Sequence, residues 1–329
     1  MWNKSEFLRF SNPHKVDILF SIFLVAFSVY FYWNVTISGA PPSDGADFLS
    51  NARSWLSDTP LRGEYRAPLI SWITAGVWLL TGENWLIIKY LIPAFTLGAG
   101  IILYILLRKQ KGGLFALGVS VLTLLNQNVF FWGTFIMTEG LSLFFLVLSV
   151  YFLKSEKEKH WIFAGIAIGL TFGSRYSIFF QALTIFLVEL VIRRNAKFAT
   201  RTMMSAIPIV AIFILAPFIK TGAFLPAADT DAGFTLLLSP YYLQNSIDIW
   251  GLAFILVPIA FMFRRTYTDK YNYAFIAWFI VSFVFWSAAS NPILQVYRYT
   301  IQFTPAVYYL AILAIENIAK TNLFRKSVN

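Results

Sequence analysis

Apolar residues come in this chain as long runs with few polar interruptions. The first covers 16–37. Others follow at about 85–107, 114–132, 139–153, 161–173, 177–192, 203–219, 248–263, 271–289 and 299–318. A helix needs about 20 apolar residues to cross a hydrocarbon layer ~30 Å thick. These ten runs, of which the 161–173 and 177–192 pair is short, predict an all-α polytopic membrane protein with about 10 transmembrane helices, organised as one membrane-embedded domain over 1–329. Polar residues gather in the connections. One connection, 38–84, is long and has its own pattern. Phe48, Leu49, Ala52, Trp55 and Leu56 recur at helical spacing, with Asp47, Asn51, Ser54 and Asp58 opposite. That is the mark of an amphipathic helix lying in the interface. A second apolar stretch, 68–82, extends only ~22 Å as a helix, too short to span. The pattern therefore predicts a first outer loop with two juxtamembrane helices, and a remaining bundle over 85–329.

Charge fixes the sidedness. If 68–82 does not cross, nineteen lysines and arginines fall on one side of the membrane and seven on the other. If it does cross, sixteen of the nineteen move outside, against the positive-inside bias. The 68–82 helix is thus expected to be shallow or re-entrant on the outer face, with both termini cytoplasmic. The first run follows Lys4, Arg9 and Lys15 but exceeds a signal-peptide core in length, so it reads as an uncleaved span.

Composition agrees. Hydrophobic residues make up 58% and charged residues 13%, where soluble domains carry roughly 25% charged residues. The net charge of +10 is scattered through short loops, as topology requires, and gives no reason to expect a nucleic-acid partner. Cysteine is absent, which excludes disulfides and thiolate metal sites. His14 and His160 lie in loops assigned to the cytoplasm, so an outer-face zinc site or histidine base is not expected.

The candidate chemistry lies on the outer side. Asp44 and Asp47 form an acidic pair at the start of the amphipathic helix. They read either as turn and helix-dipole residues or as a carboxylate base above the bilayer. Asp44 is expected in a turn before the helix and Asp47 on its flank. Arg66, Lys89 and Arg298 are singly interfacial anchors; together they are a set that could close on a phosphate. Lys89 opens a nearly unbroken apolar run, where an unpaired cation is costly. Glu139 follows Thr138 and either favours a helix dipole or serves the site. Arg175, Tyr241, Tyr242, Asp229, Asp231 and Tyr297 share that side. Glu189 and Glu316 lie at inner ends and read as structural.

These residues resemble the GT-C membrane glycosyltransferases, in the branch of protein O-mannosyltransferases and lipid A aminoarabinose transferases. The resemblance rests on Asp44, Phe48, Ala52, Arg53 and Leu56; on Gly63, Tyr65, Arg66, Pro68 and Leu69 leading to Gly82; on Lys89; on Thr138 and Glu139; and on Arg298, Tyr299 and Pro305. It is close over 38–155 and looser beyond. Gly45 stands where the family often has an acid, and Ala67 replaces one of two prolines. The resemblance implies a GT-C-like fold and a polyprenyl-phosphate sugar donor. It implies a protein, glycan or lipid acceptor hydroxyl, and attack with inversion. Asp44 is then the base and Glu139 its catalytic companion, orienting the acceptor or a cation. Arg66, Lys89 and Arg298 bind the donor phosphate, and Asp47, Tyr65 and Tyr299 are further substrate contacts. No cofactor is required, although a divalent metal is compatible. The rival class is a transporter or lipid flippase, which also carries intramembrane charge. Against it, no paired Gly/Pro-broken helices recur in two halves.

Overall fold

A computed structural model describes residues 13–39, 43–62, 66–222, 240–288, 298 and 300–328. Tyr65 and Tyr299 lie outside these residues, as do Gly63, Asp229, Asp231 and Tyr297. The side chains of Tyr241 and Tyr242 are likewise outside the description. All regular structure among the described residues is helical.

In chain order, α1 is Pro13–Ile37, α2 Ser43–Leu56, α3 Leu69–Thr81, α4 Trp85–Lys111, α5 Gly113–Leu125, α6 Gln127–Gly133 and α7 Thr138–Leu153. Then come α8 Glu158–Ser174, α9 Tyr176–Arg193, α10 Ala196–Thr221, α11 Pro240–Trp250, α12 Leu252–Met262, α13 Arg264–Thr268 and α14 Asn272–Ala288. A 3-10 turn, Ile301–Phe303, leads into α15, Thr304–Val328.

Every expected span coincides with helix, and the protein is a multi-pass membrane protein. The number that cross is smaller by length alone. Among the described residues five helices are long and apolar enough, and a sixth qualifies if α5 and α6, bent by 59°, count as one. Local breaks explain the shortfall. Gly251, at φ +56°, separates α11 from α12, and Pro258 lies inside α12. Such breaks in a membrane bundle are tolerated where neighbours re-satisfy the backbone. On α1, Ile22, Val25, Val29 and Trp33 are exposed; in a membrane these side chains meet lipid.

The bundle is tightest between α8 and α10. Gly165, Gly169 and Gly173 recur every four residues on α8. A Cβ on Gly165 would lie 2.1 Å from the Thr202 carbonyl, and one on Gly173 2.2 Å from the Phe213 ring. Small residues at this spacing let two membrane helices approach closely, gaining dispersion contacts that lipid cannot replace.

The two helices expected in the 38–84 connection form, and α3 is 13 residues long. They sit on one apolar cluster: Phe48, Leu49 and Ala52 of α2 meet Ile70 and Trp78 of α3, Ile88 of α4, and Leu141 of α7. The Ser71 hydroxyl donates to the Phe48 carbonyl at 3.0 Å. The far end of α2 is fastened by Lys220 of α10, whose Nζ donates to the Ser54 and Ser57 carbonyls.

Two sequence expectations for α2 are corrected. Asn51 and Ser54 are buried, not solvated. The Asn51 amide brackets the backbone of Arg62, accepting from its N–H at 2.6 Å and donating to its carbonyl at 2.7 Å. Ser54 donates to the Pro60 carbonyl at 2.9 Å. The chain after α2 folds back along the helix, so both faces are covered while Leu56 is exposed. Asp44 is also not ahead of the helix; it lies in its first turn.

Sidedness is open to direct measurement. A reporter fused within 110–113 should register the cytoplasm, and one beside Arg62 the opposite compartment. The same compartment for both would mean that α3 crosses.

Candidate active site

The site is a chain of alternating charges. Arg66 Nη2 lies 2.8 Å from Asp44 Oδ1 and 2.9 Å from Asp47 Oδ2. Asp44 and Asp47 are three residues apart on α2 and so share a face, which lets one guanidinium bridge them. Arg298 Nη1 lies 2.5 Å from the other Asp44 oxygen. Its Nε binds Glu139 Oε1. Arg175 Nη1 reaches the same Glu139 oxygen at 2.6 Å. Five stretches of chain, separated by up to 254 residues, thus meet through three carboxylates and three arginines.

Each member is placed by a local element. Asp44 uses the N-terminal turn of α2, where the helix dipole favours negative charge. Glu139 is in the first turn of α7 and is fully buried. Its N-cap residue, Met137, offers no side-chain cap, so the carboxylate is the negative group that this terminus has. Arg175 forms the corner between α8 and α9, with extended backbone. The planar arginines are supported from below: Arg66 lies over the Phe48 ring at 5.5 Å and Arg298 over Trp132 at 5.6 Å. Guanidinium groups rest favourably on aromatic faces.

Asp44 is partly buried, with its side chain 19% exposed, and Asp47 is more open at 32%. Burial pushes the Asp44 carboxyl up, but the hydrogen bonds and charges of Arg66 and Arg298 outweigh it. The net position is below the ordinary carboxylate value. Asp44 is therefore ionised at neutral pH and occupied by donors on both oxygens.

Lys89 joins none of these pairs. Its Nζ is buried, donates to the Thr36 carbonyl at 3.1 Å and lies 5.7 Å from the Trp85 ring. It has no carboxylate partner among the described residues. Arg175 was the cation that sequence reasoning left without a role. Trp132 carried no signal beyond being aromatic. Among the described residues, no three His, Cys, Asp or Glu side chains cluster as metal ligands.

Residues 65–220 match the sequence profile of the dolichyl-phosphate-mannose-protein mannosyltransferases. The match takes in Arg66, Lys89, Glu139 and Arg175, while Asp44 and Arg298 reach the site from either side of it. No curated protein is matched in sequence. Among solved structures, ArnT from Cupriavidus metallidurans bound to undecaprenyl phosphate aligns with a TM-score of 0.69. The fold is that of the GT-C membrane glycosyltransferases. Identity to ArnT is 12%, over 94% of this chain and 63% of ArnT. The apo form of ArnT gives the same TM-score at 13% identity, over 90% and 59%. This chain thus spans under two-thirds of the length of those structures.

One contact beneath the site is unusually close. A Cβ on Gly140, next to Glu139, would lie 2.1 Å from Thr96 Oγ1 but 3.4 Å from Thr96 Cβ. Gly140→Ala should overpack the joint and cost about 1–3 kcal/mol, lowering the thermal midpoint in detergent. Adding Thr96→Ala removes the obstructing oxygen and should restore it. A midpoint unchanged by Gly140→Ala would show that the joint has slack.

Proposed function

We propose that this protein transfers a hexose or pentose from a polyprenyl-phosphate-linked donor to an acceptor hydroxyl at the extracytoplasmic membrane face, with inversion. The observation that carries this reading is the Asp44 carboxylate shared between Arg66 and Arg298. A base and a pair of phosphate-seeking cations stand within one hydrogen bond of each other. That is the arrangement needed where a proton leaves the nucleophile while charge grows on a departing phosphate.

The proposed step runs as follows. The acceptor oxygen attacks the anomeric carbon and its proton passes to Asp44. The bond from that carbon to the phosphate oxygen breaks, and its electron pair stays on the phosphate. Arg66 and Arg298 stabilise that charge, electrostatic work of the oxyanion kind. Glu139 and Arg175 act from behind, fixing the Arg298 guanidinium. Lys89 is the docking cation, because among the described residues this buried ammonium has a carbonyl and a ring beside it and no anion. Asp47, Tyr65 and Tyr299 are further substrate contacts. Arg66, Lys89 and Arg298 supply the positive charge, so no metal is required for this step, although a divalent ion is compatible with it. The acceptor is a protein, glycan or lipid hydroxyl. An apolar cleft lined by Phe179, Leu183, Met203 and Val210 opens between α8, α9 and α10. It begins one turn of α9 from Arg175 and suits a prenyl chain.

The direct test is transfer from a labelled polyprenyl-phosphate sugar by the purified protein in detergent, where a transporter has no second compartment to fill. Asp44→Asn should lower turnover by about 10²–10⁴ with the donor still bound. Asp47→Asn should lose only a small fraction of that, and Lys89→Ala should raise the donor KM with kcat nearly kept. Full turnover by Asp44→Asn would remove the base from this assignment.

The arginines also set a pH signature. In the free protein they hold Asp44 below its usual range. A donor phosphate draws them off and adds a negative charge nearby, and both changes raise a carboxyl. The acid limb of kcat, which reports the bound complex, should therefore lie at higher pH than that of kcat/KM for the donor. Coincident limbs would mean that the arginines do not change partners.

A further inference from the structure

We propose that Asn126 is a positioning residue for Arg298, acting through the bend between α5 and α6 and the Trp132 ring. The inference rests on the reading of Arg298 as a donor-phosphate ligand. It begins with a departure from the sequence pattern. The run 114–132 reads as one span, yet the helix breaks at Asn126 and turns by 59°.

The break is built around this one side chain. Asn126 is 4% exposed and its backbone is extended, at ψ 127°. Its Oδ1 accepts from the N–H groups of Asn128 at 3.1 Å and Val129 at 3.3 Å, capping the start of α6. Its Nδ2 donates to the Ile249 carbonyl at 3.0 Å and to the Tyr308 hydroxyl at 3.2 Å. One amide thus joins α6, α11 and α15. A fully satisfied buried amide of this kind rigidifies its surroundings.

What the bend delivers is Trp132. It lies on α6 six residues beyond Asn126, and its ring carries the Arg298 guanidinium at 5.6 Å. A second tie runs alongside: Asn128 Nδ2 donates to Thr300 Oγ1 at 3.4 Å, two residues beyond Arg298. Had α5 continued straight, Trp132 would point elsewhere and the guanidinium would lose the face it rests on. Asn126 touches neither Arg298 nor the carboxylates, so its effect passes through the orientation of α6.

The test is a double-mutant cycle read by titrating undecaprenyl phosphate onto the detergent-purified full chain. Asn126→Ala should weaken binding by about tenfold, and Trp132→Leu by a similar factor. The double variant should bind within about twofold of Trp132→Leu alone, because both changes remove one device. Asn126→Ser keeps a capping oxygen and should lose less than Asn126→Ala. If Asn126→Ala does not fold, Tyr308→Phe, which removes one of the two Nδ2 partners, takes its place in the cycle. Losses that multiply would overturn the proposal, since a purely structural bend acts independently of the ring. Normal binding by Asn126→Ala beside weakened binding by Arg298→Ala would overturn it while leaving the functional reading intact. Normal binding by Arg298→Ala would overturn that reading and this role with it.

Discussion

A carboxylate buried as deeply as Glu139 cannot stand alone at the edge of an apolar bundle. Leaving such a charge without its partner costs about 3–5 kcal/mol. Two arginines answer it, and one of them, Arg298, also answers Asp44. The rest of the molecule is arranged so that these groups can meet. Residue 44 lies near one end of the chain and 298 near the other, so the bundle must close before the charges are satisfied. This end of the fold and the site are therefore one cooperative structure.

The opposite end of the bundle offers a comparison. There Lys154 lies 2.6 Å from Glu189, with Arg193 beside it and the Tyr271 ring 4.4 Å from Lys154. Both Lys154 and Glu189 are nearly sealed. That cluster ties helix ends together and offers no approach to a ligand. The chain of charges from Asp47 to Glu139 differs in being graded. Glu139 is sealed, Asp44 is partly open and Asp47 more open. The rigid end of the network anchors Arg298, while the open end is left to chemistry.

Much of this was legible in the sequence, for identifiable reasons. Long apolar runs write helices directly, and charge asymmetry writes an expected sidedness. Asp44, Arg66, Glu139 and Arg298 stood out because charge is rare in such a chain, and the fold brings those four together. Other features were hidden. Asn51 and Ser54 looked solvated because helical spacing knows nothing of the loop that folds back over them. Arg175 looked like a corner residue because its partner is 36 positions away. The bend at Asn126 was missed because three polar residues in a row, Asn126, Gln127 and Asn128, were read as part of one span. Its partners Ile249 and Tyr308 come from far downstream. Gly165, Gly169 and Gly173 were in plain view as a four-residue repeat. Only the closeness of α10 gives that spacing its meaning.

The shared arginines have a consequence for turnover. A sugar joined to a prenyl phosphate leaves a diester with about one negative charge. The carrier that remains after transfer is a monoester with roughly 1.5 to 2 negative charges at neutral pH. On the mechanism proposed above, Arg66 and Arg298 would therefore grip the spent carrier more strongly than the fresh donor, just when Asp44 has taken up a proton and competes least for them. Passing that proton back to solvent lets the carboxylate reclaim its arginines and helps to expel the carrier. On that mechanism the arginines that help the phosphate leave the sugar also oppose its leaving the site, and the aspartate would serve both the chemistry and the release.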